Sequence, residues 1–182
     1  MSIREATESD WDAIWPVFHS IAREGTTYGF DRDITYEDGK RVWLTLPEYT
    51  FVYEQDGKVL GTYYLKTNHQ GPGRHVCNCG YMVAGAARGQ GIATRLCIHS
   101  QNVAVQSGYK AMQFNFVASS NSGAVRLWQS LGFDIVGRLP NAFLHPQQGY
   151  IDALVMYKWL ANQEENEDAA DRGQIFRRPK KV

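Results

Sequence analysis

The segment Val83-Ala-Gly-Ala-Ala-Arg88-Gly89-Gln90-Gly91-Ile92-Ala93-Thr94 has the residue types of an anion cradle. Gly89 and Gly91 carry no side chain to keep a ligand off the backbone, and the segment joins a strand pattern to a helix pattern. Backbone N–H groups converge outward from such a turn, and a helix N-terminus adds about half a positive charge. Arg88 supplies a full charge beside them. A pyrophosphate suits this chemistry. A nucleoside-triphosphate loop would end in Lys-Ser/Thr, which is absent. A dinucleotide fingerprint would need a third glycine where Thr94 stands, and the preceding strand follows a hairpin instead of opening a βαβ unit. A glycine-rich turn that binds nothing is the plain alternative.

The same residues also read Arg88-Gly-Gln-Gly91-Ile-Ala93, the Arg-x-x-Gly-x-Gly/Ala pattern of coenzyme A acetyltransferases. Some 30 residues on come Asn121-Ser-Gly-Ala124 and Leu127-Trp128-x-x-Leu131-Gly132-Phe133. With both motifs in this order, the chain resembles the GCN5-related N-acetyltransferase superfamily from about Ser2 to Leu160. The resemblance implies a splayed mixed sheet with acetyl-coenzyme A in a V between the fourth and fifth strands. It implies that the amides of Arg88, Gly89, Gln90, Gly91, Ile92, Ala93 and Thr94 take the diphosphate. Backbone groups of Met82 and Val83 would meet the pantetheine arm like an added strand, with an N–H there facing the developing oxyanion. Asn121 would sit near the pantetheine or a leaving-group water, and a helix N-cap is an equally good reading of it. The family tyrosine that protonates the leaving thiolate is replaced by Trp128, whose indole is no useful proton source. The thiolate then leaves unprotonated, or Tyr150 or another group substitutes.

Acetyl transfer to an amine also needs the amine deprotonated, and an amine near pKa 10 is mostly charged at neutral pH. Asn78, Tyr81, Asn115 and Glu24 are the candidates near the V, with Asn115 able to hold an amine or a water but not to take a proton. Tyr28 and Asn141 lie in the two loops expected to build the acceptor side. No acidic groove for a polyamine or histone tail is evident. Phe114-Asn115-Phe116-Val117, Asn121 and Val136-Gly-Arg-Leu-Pro140 resemble fungal acetyltransferases of toxic proline analogues such as azetidine-2-carboxylate, which implies Asn115 and Asn141 as amino-acid contacts. Other amino-acid analogues such as phosphinothricin, a protein N-terminus or lysine, and a coenzyme A-binding module with little catalysis are the competing acceptor readings. The amino-acid and protein readings make a small-molecule amine or a peptide the partner, and a homodimer is compatible with any of the readings.

Several elements must hold these residues. Ser2–Thr7 alternates like a strand. Ser9 or Asp10 can cap a helix whose apolar residues Trp11, Ile14, Trp15, Phe18, Ile21 and Ala22 recur at spacings of three and four. A weaker helix is expected over 36–46, stopping at Pro47. Strands over 49–54 and 58–67 flank Asp56-Gly57, a hairpin signal. A strand over 75–83, a helix over 91–107 stopped by Gly108, a strand over 111–117 and a helix over 121–130 follow. The last strands are expected over 133–139 and 151–159, separated by a loop containing Pro140 and Pro146. Hairpins mixed with crossover helices predict an α/β (α+β mixed) domain over 1–160, with about seven strands and four helices, and a charged tail over 161–182.

Composition agrees with one globular domain. The 182 residues are 43% hydrophobic and 21% charged, with 19 basic and 19 acidic side chains. No net charge steers the chain to nucleic acid or to an acidic membrane. No apolar run approaches the roughly 20 residues that span a bilayer, and the N-terminus lacks a signal-peptide pattern. Cys77, Cys79 and Cys97 show no disulfide framework, which suggests reduced thiols in a cytoplasm. They find no fourth ligand, and His69, His75, His99 and His145 have no ligand spacing, so no metal is expected.

Overall fold

The computed structural model describes residues 1–160, and the expected tail, 161–182, lies outside them. The helical spacing near the N-terminus does form helix α1 (Trp11–Glu24), which buries Trp11, Ile14, Val17, Phe18, Ile21 and Ala22. Its approach is fixed by Asp10, whose carboxylate accepts from the Thr7 N–H at 2.7 Å and from two nitrogens of Arg4 at 2.9 and 2.7 Å. The weaker helix is shorter than its pattern. Helix α2 (Tyr36–Lys40) widens into a π-helical turn over Arg41–Thr45, closed by the Leu46 N–H on the Arg41 carbonyl at 2.9 Å. The wide turn seats Trp43 fully under α1, where its indole N–H donates to the Thr62 hydroxyl at 3.1 Å.

Seven strands form one sheet: β1 (Ser2–Glu5), β2 (Tyr49–Gln55), β3 (Lys58–Thr67), β4 (Val76–Val83), β5 (Ala111–Ala118), β6 (Asp134–His145) and β7 (Gly149–Trp159). Their order is β1-β2-β3-β4-β5-β7-β6, antiparallel except at β4 and β5. That one parallel pair needs a crossover, supplied by α3 (Ile92–Gln106); α4 (Ser122–Ser130) follows β5. Alternation along β4 sends Met82 into the core under α1, with Trp11, Phe18 and Trp43. It sends Cys77 and Cys79 into the opposite core with Leu96, Met112, Phe114 and Phe133.

Two strand boundaries differ from expectation. β6 does not stop at Leu139 but runs through Pro140 to His145, and β7 begins at Gly149. Proline is tolerated because β6 is an edge strand, so no ladder donor is lost on its open side. The register shifts between Leu139 and Phe143, and Asn141 sits in that irregularity at φ 55°. Asp152 on β7 clamps it, accepting from the Asn141 N–H at 3.0 Å and from Arg138 at 2.7 Å.

The feature that makes room for a site is the early end of the parallel pairing. Only Val76–Asn78 pair with Ala111–Gln113, although β4 continues to Val83 and β5 to Ala118. At the last paired level the Asn78 side-chain amide donates to the Gln113 carbonyl at 2.9 Å, occupying an acceptor that a continuing ladder would use. β5 then shifts register between Phe114 and Val117. The strands part into a V.

Candidate active site

A cleft of about 540 Å³ opens in the V, lined on one side by β4 and α4 and on the other by the segment after α1. The open edge of β4 follows from hydrogen-bond alternation. Asn68 donates to the Val76 carbonyl and Ala84 to the Leu60 carbonyl, both at 2.9 Å, and Thr62 stands opposite Met82. Bonded pairs therefore fall on the even-numbered residues of β4, and Tyr81 and Val83 turn their amide groups away from β3 into the gap. The Tyr81 carbonyl already accepts from the Tyr28 hydroxyl at 2.8 Å. Val83 is left to offer its amide to an extended ligand. Met82 is the exception to the expected pair: its side chain is 1% exposed under α1 and its amide faces β3, so the structure takes it out of the cleft.

The glycine loop has the geometry expected of a cradle. Gly89 and Gly91 hold φ 80° and 74°, and a Cβ on either would have nothing within 4 Å, so the space above them is open. Gly91 caps α3 without a side-chain hydrogen bond, which leaves the first-turn amides of Ile92, Ala93 and Thr94 without a capping partner. The Ile92 side chain is buried beneath, while Gln90 folds back on the Ala86 carbonyl at 3.4 Å. Val83, Arg88 and Ala93 line the cleft itself, with Gly89, Gln90, Gly91, Ile92 and Thr94 on the loop and first turn next to them. A diphosphate fits this set of donors. Arg88 also reaches across the mouth to Glu24 at the end of α1, at 3.5 Å.

On the α4 side, Asn121 caps the helix by accepting from the Ala124 N–H at 3.3 Å and also lines the cleft. Trp128 packs its ring 5.0 Å from Tyr81 and 5.3 Å from Phe114. Tyr81 presents only ring and backbone here. Its hydroxyl meets Ser100 at 2.7 Å inside the α3 core, and burial pushes its pKa well above the phenol range. Tyr150 is exposed on β7 and lines neither cleft.

At the other end, Asn78 sits at the vertex, accepting from the Tyr64 hydroxyl at 2.9 Å. Gly80 is required beneath that ring, because a Cβ there would stand 2.6 Å from Tyr64 Cε1. Asn115 accepts from Gln113 at 2.8 Å and donates to Asn68 at 2.7 Å. Tyr28 closes the wall, and burial raises the Tyr28 and Tyr64 hydroxyls above their ordinary range, so neither gives up a proton near neutral pH. Asn141 is not brought in, since it lines neither this cleft nor the neighbouring one of about 490 Å³. The continuation of β6 carries Ala142, Phe143 and Leu144 there instead. Lys66 and Tyr64 line the acceptor end and were missed by sequence reasoning. The period of two along β3 was the available signal, placing Thr62, Tyr64 and Lys66 on one face.

The three thiols are buried, Cys79 among the residues lining the cleft. Burial pushes Cys77 up to about 12, Cys97 up to about 11 and Cys79 higher than ordinary as well. Among the described residues no group of three His, Cys, Asp or Glu side chains could hold a metal ion, and no helix is long and apolar enough to cross a membrane.

An open-edged β4, a glycine cradle at a helix start and an asparagine-capped α4 belong together in one class of protein. The chain belongs to the acetyltransferase (GNAT) family, whose model matches residues 7–133. That family defines an acyltransferase drawing its acetyl group from acetyl-coenzyme A, the donor that the cradle fits. The N-acetyltransferase aca1 of Schizosaccharomyces pombe is 35% identical over 98 residues, which is 53% of this chain and 47% of that protein, so the match spans about half of its length. A GCN5-related N-acetyltransferase from Kribbella flavida superposes with a TM-score of 0.82 at 42% identity, covering 87% of this chain and 96% of that one. A phosphinothricin acetyltransferase from Sinorhizobium meliloti, solved in complex with AcCoA, shares the fold at a TM-score of 0.74 and 16% identity, over 88% of each chain.

Proposed function

We propose that the protein moves an acetyl group from acetyl-coenzyme A to the amine of a small molecule, an amino acid or a toxic amino-acid analogue, by direct attack in a ternary complex. The observation that carries this reading is the composition of the acceptor end. Tyr28, Tyr64, Phe116, Asn78 and Asn115 wall it, and Glu24, the one carboxylate among the residues lining the cleft, is paired with Arg88. A polyamine or a basic peptide would leave several cations facing no carboxylate there. The resemblance to acetyltransferases of proline analogues points the same way.

Bound acetyl-coenzyme A supplies a thioester carbonyl open to attack. The chain's own residues do the rest. The first-turn amides of α3 and Arg88 hold the diphosphate, and the Val83 N–H is placed for the oxyanion. Asn115 orients the amine or a water near it. Glu24 takes the proton through solvent at the cleft mouth, because the tyrosine hydroxyls are held protonated by burial. Trp128 offers an indole N–H as a hydrogen-bond donor but no proton, so the thiolate leaves unprotonated. Proximity in the V supplies much of the acceleration.

A second reading has its own observation. The neighbouring cleft shares Tyr28, Gly29 and Phe116 with the first, and a longer acceptor such as a peptide N-terminus could cross that ridge. Thiol release from acetyl-coenzyme A over a panel of azetidine-2-carboxylate, hydroxyproline, methionine sulfoximine, phosphinothricin, polyamines and short peptides decides between them. Turnover confined to free amino acids is expected. Turnover on peptides alone would transfer the function to the second reading. Cofactor binding with silence on every amine would leave a coenzyme A-binding module.

A further inference from the structure

Lys66 stands on β3 opposite Asn78, at the level where β4 and β5 part. It lines the cleft with its ammonium 5.3 Å from the centre of the Tyr64 ring. A chain of hydrogen bonds starts from that same Tyr64. Tyr64 donates to Asn78, the Asn78 amide donates to the Gln113 carbonyl, the Gln113 amide donates to Asn115, and Asn115 donates to Asn68. Asn68 follows Lys66 by two residues, just past the end of β3.

The valences left over along this chain share one character. The side-chain oxygens of Asn78, Asn115 and Asn68 have each accepted a hydrogen bond. Asn115 keeps its second N–H uncommitted, and Asn68 keeps a buried Nδ2 with no protein partner. Lys66 forms no ion pair with any described residue, and Glu24 is engaged by Arg88. At this end of the cleft Lys66 thus brings a cation and Asn115 an uncommitted amide N–H, while the one lining carboxylate, Glu24, lies beside Arg88 at the mouth. Such a set is complementary to an oxyanion.

We propose that Lys66 determines acceptor specificity: its ammonium, aided by the free N–H of Asn115, binds a carboxylate on the acceptor close to the reacting amine. The acceptor is then an amino or imino acid and not a bare amine. This rests on the small-molecule reading above and names the residue that selects its acid group. The lysine also gives the direction of discrimination, since a second cation on the acceptor would meet like charge.

Matched acceptors test this. Azetidine-2-carboxylate is compared with azetidine and with its own methyl ester, in the native chain and in Lys66→Met and Lys66→Arg. The native enzyme should prefer the acid by about 10- to 100-fold in kcat/KM, the range of a hydrogen bond to a charged group. Lys66→Met should collapse that ratio toward one, chiefly through the KM of the acid, and Lys66→Arg should restore most of it. An unchanged affinity for acetyl-coenzyme A reports that the variants fold. Calorimetric binding of the same three compounds to the coenzyme A-saturated protein reads the subsite without turnover. Acid-selective binding lost in Lys66→Met, with no turnover, would overturn the acetylation of these amines and support the subsite. Equal use of acid, ester and amine by the native enzyme, or a preference that survives Lys66→Met, would overturn the subsite and leave the acetyltransferase reading intact.

Discussion

Gly91 shows how much a missing side chain can decide. It holds φ 74° at the start of α3, with open space where a Cβ would stand. Glutamate there would be strained by φ and would put a carboxylate where a diphosphate needs N–H donors. Gly91→Glu should weaken acetyl-coenzyme A binding by at least about 100-fold, measured by calorimetry, and unaltered affinity would remove the diphosphate from this loop. The cysteines make the opposite point. Their thiolates are disfavoured by burial, with Cys77 pushed up to about 12 and Cys97 up to about 11. Mass spectrometry of the folded protein treated with iodoacetamide at pH 8 should therefore find all three unmodified, and full activity should survive the treatment.

At the scale of elements, the entry to α1 is the clearest example of local chemistry fixing an orientation. Asp10 is 9% exposed and gathers donors from Arg4, the Thr7 backbone and the Thr7 hydroxyl. Those bonds, Arg4 foremost, hold its carboxyl well below the usual carboxylate range. A depressed folded pKa contributes stability that is complete above the unfolded value near ~3.9 and is lost as pH falls through the folded value. Asp10→Asn should cost about 2 kcal/mol at pH 7 by urea denaturation. The difference between the native chain and Asp10→Asn should shrink below about pH 4, and a constant difference across that range would assign the loss to packing.

For the molecule as a whole, the V is both the site and a discontinuity in the sheet. Beyond Asn78 and Gln113 no ladder bonds join β4 to β5, so an extended ligand in the gap would tie the two halves of the sheet together. A saturating ligand at about 100 times its Kd stabilises a folded protein by about 2.7 kcal/mol. For a chain of this size that is a rise in Tm of about 5–10 °C. Calorimetry with acetyl-coenzyme A should show it in the native protein and not in Gly91→Glu. Equal shifts in both would place the cofactor elsewhere.

What could be read from the chain alone was local. The three-and-four spacing from Trp11 to Ala22, the Asp56-Gly57 hairpin and the cradle from Arg88 to Ala93 each depend on residues within a turn or two of one another. The resemblance in the cradle and in Asn121–Phe133 carried the fold class and the acetyl donor. The rest is set by contacts between distant segments. Pro140 looked like a strand end, but an edge position beside β7 lets β6 continue through it and takes Asn141 out of the cleft. Met82 and Val83 are neighbours in sequence, yet the register with β3 turns one amide into the ladder and the other into the gap. Tyr81 was a candidate for its hydroxyl, which the pleat sends to Ser100 instead. Lys66 and Asn115 are 49 positions apart. They share a cleft only because β4 and β5 stop pairing where Asn78 takes the Gln113 carbonyl. Periodicity encodes which face a residue belongs to, whereas register and splay come from hydrogen bonds between strands, and these decide which faces meet.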